Sequence, residues 1–147
     1  MKKISLIVVG VLAAIGTMAQ EITPYQAYQI KKEVTIEILE IKRVEKYGWD
    51  NLEIQYRLKN NSPYDLQKID FFVHLLDADQ KEIGSIELFA FNIDKASNKK
   101  YKSVEVLSPY VNESIGQHIV ETKQIDVVLD EDGSSMVRIE GSEIKRK

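Results

Sequence analysis

Leu52-Glu53-Ile54-Gln55-Tyr56-Arg57-Leu58-Lys59-Asn60-Asn61-Ser62-Pro63 is the stretch on which the fold turns. Leu52, Ile54, Tyr56 and Leu58 alternate with Glu53, Gln55, Arg57 and Lys59, so an extended chain turns its apolar side chains to one face and its polar ones to the other. A helix would scatter both sets around its axis. The run ends in residues that tolerate tight turns, followed by a proline that cannot donate to a sheet ladder. One half-buried strand closed by a turn is therefore expected.

The same period of two recurs on either side. Val34, Ile36 and Ile38 alternate with Thr35 and Glu37. Five further strands are expected at residues 66–76, 83–93, 101–107, 119–129 and 136–140, and Asp132-Gly133 between the last two is a strong hairpin signal. Seven short strands separated by turn residues predict an all-β protein, an antiparallel β-sandwich whose inward-facing residues make one core. The one helical segment expected covers residues 24–31, with Thr23 as cap and Pro24 in the first turn. It falls in an N-terminal segment, residues 20–32, ahead of a β-domain at 33–141 and a C-terminal tail at 142–147.

The third strand carries apolar residues on both faces, with Phe72 and Leu76 opposite Ile69, Phe71, Val73 and Leu75. In the fourth, Phe89 and Phe91 oppose Ile86 and Leu88. Both faces cannot meet a single core. Either a strand switches face at a bulge, or the surplus is covered from within by Ile22, Tyr25, Tyr28 and Ile30, which is the favoured reading, or a partner covers it, with Phe72, Leu76, Phe89 and Phe91 as the candidate interface.

Residues 1–19 have a different character. Lys2 and Lys3 precede an apolar run over residues 4–15, and Thr17 and Ala19 supply the small residues that a signal peptidase inspects. A membrane-spanning helix needs roughly 20 apolar residues, more than this run offers, so a cleaved signal peptide and a protein starting at Gln20 are expected. The chain has no cysteine, which leaves neither disulfides nor a lipid-modified anchor. A periplasmic or secreted location without a membrane span follows as an expectation. Lys2 and Lys3 are two of the 20 basic side chains, so the exported chain carries 18 of them against 23 acidic ones. This balance disfavours nucleic acid as a partner, because phosphate binding needs clustered Lys and Arg.

Leu58-Lys59-Asn60-Asn61-Ser62, then Ile69, Phe71, Val73 and Leu75-Leu76-Asp77, then Glu82-Ile83-Gly84 resemble the FxLYD-like group of bacterial immunoglobulin-like sandwich domains. Leu76 stands where that group has tyrosine, and Gln80-Lys81 replaces its usual turn glycine. The resemblance covers about thirty residues and implies an immunoglobulin-like fold with an accessory or binding role. A fold of this kind does not by itself specify a function.

Catalytic chemistry has few candidates. Only His74 and His118 supply imidazole, they are isolated from each other, and no HxH or HExxH spacing points to a metal or cofactor. Asp65, Asp94, Asp130, Glu131 and Asp132 gather at one end if the strands alternate in direction, but the spacing of a calcium loop is missing and turns select Asp for backbone reasons. The opposite end offers Tyr47, Trp49 and Tyr110. Flat rings presented above a sandwich give much contact area for little lost entropy, so these three are the candidate ligand-binding residues. The expected function is a non-enzymatic module that binds a protein or glycan. The alternative is a self-assembling envelope component that uses the surplus apolar face or an edge strand, as a homo-oligomer.

Overall fold

The computed structural model describes residues 21–106 and 114–147. The signal-peptide reading of residues 1–19 and the candidate Tyr110 lie outside the described residues. The chain order is α1 (Pro24–Glu33), β1 (Val34–Lys46), β2 (Trp49–Asn60), β3 (Leu66–Leu76), β4 (Glu82–Ile93), β5 (Ser97–Val106), β6 (Gln117–Val128), β7 (Met136–Glu140) and β8 (Glu143–Arg146). The strands form two antiparallel sheets, a three-stranded one in the order β1-β2-β5 and a five-stranded one in the order β4-β3-β6-β7-β8.

The alternation in β2 decides which way each sheet faces. Leu52, Ile54, Tyr56 and Leu58 are all buried, and they meet Ile69, Phe71, Val73 and Leu75 of β3 in one core with the inward residues of β4, β6 and β7. Tyr56 and Phe71 join the two sheets directly, their rings edge to face at 5.2 Å. Burial pushes the Tyr56 hydroxyl up to about 12, and the nearby Tyr101 and Glu105 add to the shift.

α1 begins with a capping box. Thr23 Oγ1 accepts the Gln26 backbone N–H, and the Gln26 side chain accepts that of Thr23, which satisfies two amides that have no partner in the first turn. Ala27 and Ile30 face the core one turn apart, and Lys31 and Lys32 suit the negative end of the helix dipole. Lys31 Nζ reaches the carbonyl of Gly141 at 2.8 Å, tying the helix to the β7–β8 turn.

Three features differ from the sequence expectation. The strands number eight among the described residues, because Glu143–Arg146 pairs with β7 where a tail was expected. Gly141, at φ +61°, allows a turn tight enough to return the chain, but a four-residue strand with one apolar side chain shows no period in the sequence. Second, Leu76 is not exposed with the phenylalanines: it is 9% exposed and lies outside the core cluster that its neighbour Leu75 joins, at the end of β3 where the pairing with β4 skips Ile83. Third, α1 does not cover the surplus aromatics. It packs on β1 and β8, leaving Tyr25 and Tyr28 exposed and Phe89 and Phe91 uncovered at 45% and 58%.

Candidate functional site

Two surfaces carry unspent side-chain chemistry, one at the β1–β2 tip and one on the outer face of the five-stranded sheet. The tip is a two-residue turn in which Tyr47 and Gly48 both have positive φ, +57° and +76°, as a type I′ hairpin requires. Tyr47 is 88% exposed and Trp49 71% exposed. The loop that holds them is braced from below. The Asn51 side chain, itself buried, donates to the carbonyl oxygens of Trp49 (2.8 Å) and Lys46 (3.2 Å), so the turn cannot open without losing both bonds.

Register places more apolar surface beside the tryptophan. Trp49 pairs with Lys46, and the next row on the same face aligns Val44, Asn51 and Val106 across three strands. Val106 is exposed, and the Lys46 ammonium lies 5.5 Å from the Tyr47 ring centroid. Trp49, Val44 and Val106 thus form an apolar shoulder with Tyr47 at its crest. The contributions of Asn51 and Val106 were not read from the sequence. The signal available was Tyr47-Gly48, a pair suited to a two-residue turn, which places residues 44, 51 and 106 in one row only when the pairing with β5 is known.

On the outer face of the five-stranded sheet, cross-strand rows are set by register. One row runs Phe91, Lys68, Asp126, Arg138 and Lys145; the next begins Phe89, Asp70 and Gln124; a third holds Glu87, Phe72 and Glu121; a fourth holds Ser85, His74 and Ile119. Phe89 and Phe91 are thus neighbours, Phe72 lies diagonal to Phe89, and Leu76 is apart from them, buried at the end of β3. Lys68 sits 4.6 Å from the Phe89 ring centroid, and Lys123 sits 5.4 Å from that of Phe72.

Charged groups lace this face. Asp126, fully buried, receives Arg138 at 2.8 and 3.2 Å and Lys147 at 2.9 Å; burial raises its pKa, but these two cations outweigh that and hold the carboxyl below its ordinary value. Asp70 is also buried, and its Oδ1 has no hydrogen-bond partner. Burial raises its pKa, the neighbouring Glu87 carboxyl adds to the rise, and Lys123 at 3.7 Å opposes it.

His74 Nδ1 lies 2.7 Å from Glu82 Oε1 and its Nε2 lies 2.7 Å from Glu121 Oε2, so one ring clasps β4 to β6 across β3. Hydrogen bonds to Glu82 and then Glu121 raise the His74 pKa, against a smaller opposing effect of burial. With both nitrogens engaged the ring has no free lone pair for base catalysis or for a metal. A raised pKa means that the clasp stabilises the fold fully below the unfolded value of 6.5 and loses its effect as the pH rises through the folded value. His74→Gln is therefore expected to lower the melting temperature more at about pH 5.5 than at about pH 8.5. Equal losses at the two pH values would contradict the clasp.

The other candidates have structural partners. Asp65 accepts the Lys95 backbone N–H, and Asp130 holds Ser134 and Ser135 in the β6–β7 loop. Among the described residues no three His, Asp or Glu side chains converge on a metal position. His118 lines a cleft of about 210 Å³ between the bulged part of β1, at Ile38, Leu39, Glu40 and Ile41, and the approach to β6. No helix among the described residues is long and apolar enough to cross a membrane. The described residues form a mostly β protein of two antiparallel sheets with an aromatic hairpin tip. Comparison with protein-family models, with curated proteins and with solved structures returns no match.

Proposed function

We propose that this chain is an exported, non-enzymatic binding or accessory module that recognises a protein or glycan partner through the β1–β2 tip. The observation that carries this reading is the exposure of Tyr47 and Trp49 on a turn held by the buried Asn51 side chain. Rings fixed in place lose little freedom on binding, and two flat apolar surfaces beside the Val44–Val106 shoulder suit the face of a sugar ring or of a partner's apolar side chain. Solvent exposure of a lone tryptophan is otherwise a poor use of its apolar area.

Supporting the immunoglobulin-like assignment is the strand order, β1-β2-β5 opposed to β4-β3-β6-β7, which places sequence neighbours β2 and β3 in different sheets as a Greek-key sandwich does. The Asn60-Asn61-Ser62 element of the FxLYD-like resemblance falls at that crossing between sheets. The periplasmic or secreted location rests on residues 1–19, and the non-enzymatic reading on the engagement of both His74 nitrogens and on a chain without cysteine.

The test is affinity capture from envelope extract with the protein and with its Trp49→Ala and Tyr47→Ala variants. A partner held by the protein is expected to be weakened by about 30-fold or more in Trp49→Ala, as a central aromatic anchor requires, with the melting temperature unchanged. An identical set of captured partners at identical affinity would remove the tip from the reading.

A further inference from the structure

We propose that the outer face of the five-stranded sheet is a self-association surface, on which a second copy of this chain stacks with its strands running in the opposite sense. The proposal stands on a different surface from the hairpin tip. Phe89 and Phe91 are exposed there, Phe72 is half-buried beside them, and α1 packs elsewhere, so no element of the described chain covers them. An aromatic patch of this kind on a sheet face has the character of an interface.

The distribution of charge selects the occupant. One end of the face carries Lys68, Arg138, Lys145 and Lys147 against the buried Asp126 and against Glu140 and Glu143, both paired with Lys145, which leaves one positive charge in excess. The other end carries Glu82, Glu87 and Glu121, with Lys123 and His74 as their counter-charges. A face that is basic at one end and acidic at the other is complementary to itself once turned end for end. A two-fold axis lying in the interface, across β3 between Asp70 and Phe72, makes that turn. It brings Lys68 of one copy over the Glu82–His74–Glu121 clasp of the other and sets Phe72 beside Phe89 of the second copy. Asp70, whose Oδ1 is unpartnered within the chain, lies at the centre of this arrangement.

Sedimentation equilibrium of the purified protein from about 1 μM to about 1 mM tests this, a range that covers a weak to moderate homodimer. The expected result is a mass rising to twice that of the monomer, with association weakened by added salt. Lys68→Glu and Glu121→Lys are each expected to weaken it by about tenfold, and an equimolar mixture of the two variants to restore it, because both cross-contacts are then attractive again. Melting temperatures at the lowest concentration show that each variant is folded, and Phe91→Ser, at an exposed position, gives a further route to loss of association. A monomer at every concentration overturns the proposal. So does a dimer that neither charge reversal weakens, or one that the mixture fails to restore.

Discussion

Asn60→Ala is expected to lower the unfolding free energy by about 3 kcal/mol, one of the two largest effects of any substitution considered. Asn60 has no solvent exposure and uses every hydrogen-bonding position it has. Its Nδ2 donates to the carbonyl oxygens of Tyr64 (2.9 Å) and Asp94 (3.1 Å), and its Oδ1 accepts from the Ser62 N–H (3.1 Å) and hydroxyl (2.7 Å). One amide thus joins the end of β2, the β2–β3 crossing between the sheets and the β4–β5 turn. Alanine removes all four bonds: the Tyr64 and Asp94 carbonyls keep the Ser62 and Ser97 hydroxyls as donors, but the buried Ser62 N–H loses its acceptor, at about 1–3 kcal/mol, and each of the other lost bonds adds about 0.5–1.5 kcal/mol at most. Asn60→Asp is expected to be no better at neutral pH, since a carboxylate would face two carbonyl oxygens, and to recover in part on acidification as the protonated acid regains one donor. Urea unfolding measures both. A loss below about 1 kcal/mol for Asn60→Ala would mean that the crossing holds without the network.

Phe71→Ala is expected to cost about 4 kcal/mol, with Phe71→Leu costing about 1–2 kcal/mol. Phe71 is fully buried and meets Tyr56 across the gap between the sheets, and Tyr56 in turn stacks on Tyr101 at 5.4 Å. The cavity left by alanine opens between two sheets whose backbones are fixed by their own ladders, so the site collapses poorly and most of the lost contact is not recovered. The same cavity relieves the burial that raises the Tyr56 hydroxyl, so its spectroscopic titration in Phe71→Ala is expected to move down from about 12 toward the ordinary value of 10.0. A variant that loses less than about 1.5 kcal/mol would show the contact between sheets to be loose.

The tip and the outer sheet face were legible to different degrees. Tyr47 and Trp49 stood out because they are large aromatics beside a glycine between two alternating runs, and the structure brings them to one turn. The shoulder formed by Val44 and Val106 was not legible, because their shared row depends on how β2 pairs with β5. The surplus of phenylalanine on β3 and β4 was visible as a count of apolar faces, yet its distribution was not. Leu76 is buried at the end of β3, where the pairing with β4 skips Ile83, while Phe89 and Phe91 stay exposed. A similar irregularity between Ile38 and Glu40, with Leu39 as the extra residue, interrupts the alternation of β1, which is why the expected first strand stops at Ile38 whereas β1 continues to Lys46.

By itself the sequence determined the local states of this protein. Period-two alternation, turn residues at the strand ends and the Thr23-Pro24 start of a helix act over a few neighbouring residues, where sterics and the contrast between polar and apolar side chains decide the outcome. Only the tertiary structure decided which strands share a sheet, that Glu143–Arg146 is a strand, that α1 lies on β1 and β8, and that Phe89 and Phe91 stay in solvent. Those outcomes depend on pairing between segments far apart in the chain, where the partner that buries a side chain is not its neighbour in sequence, and a slip of one residue exchanges the two faces of a strand.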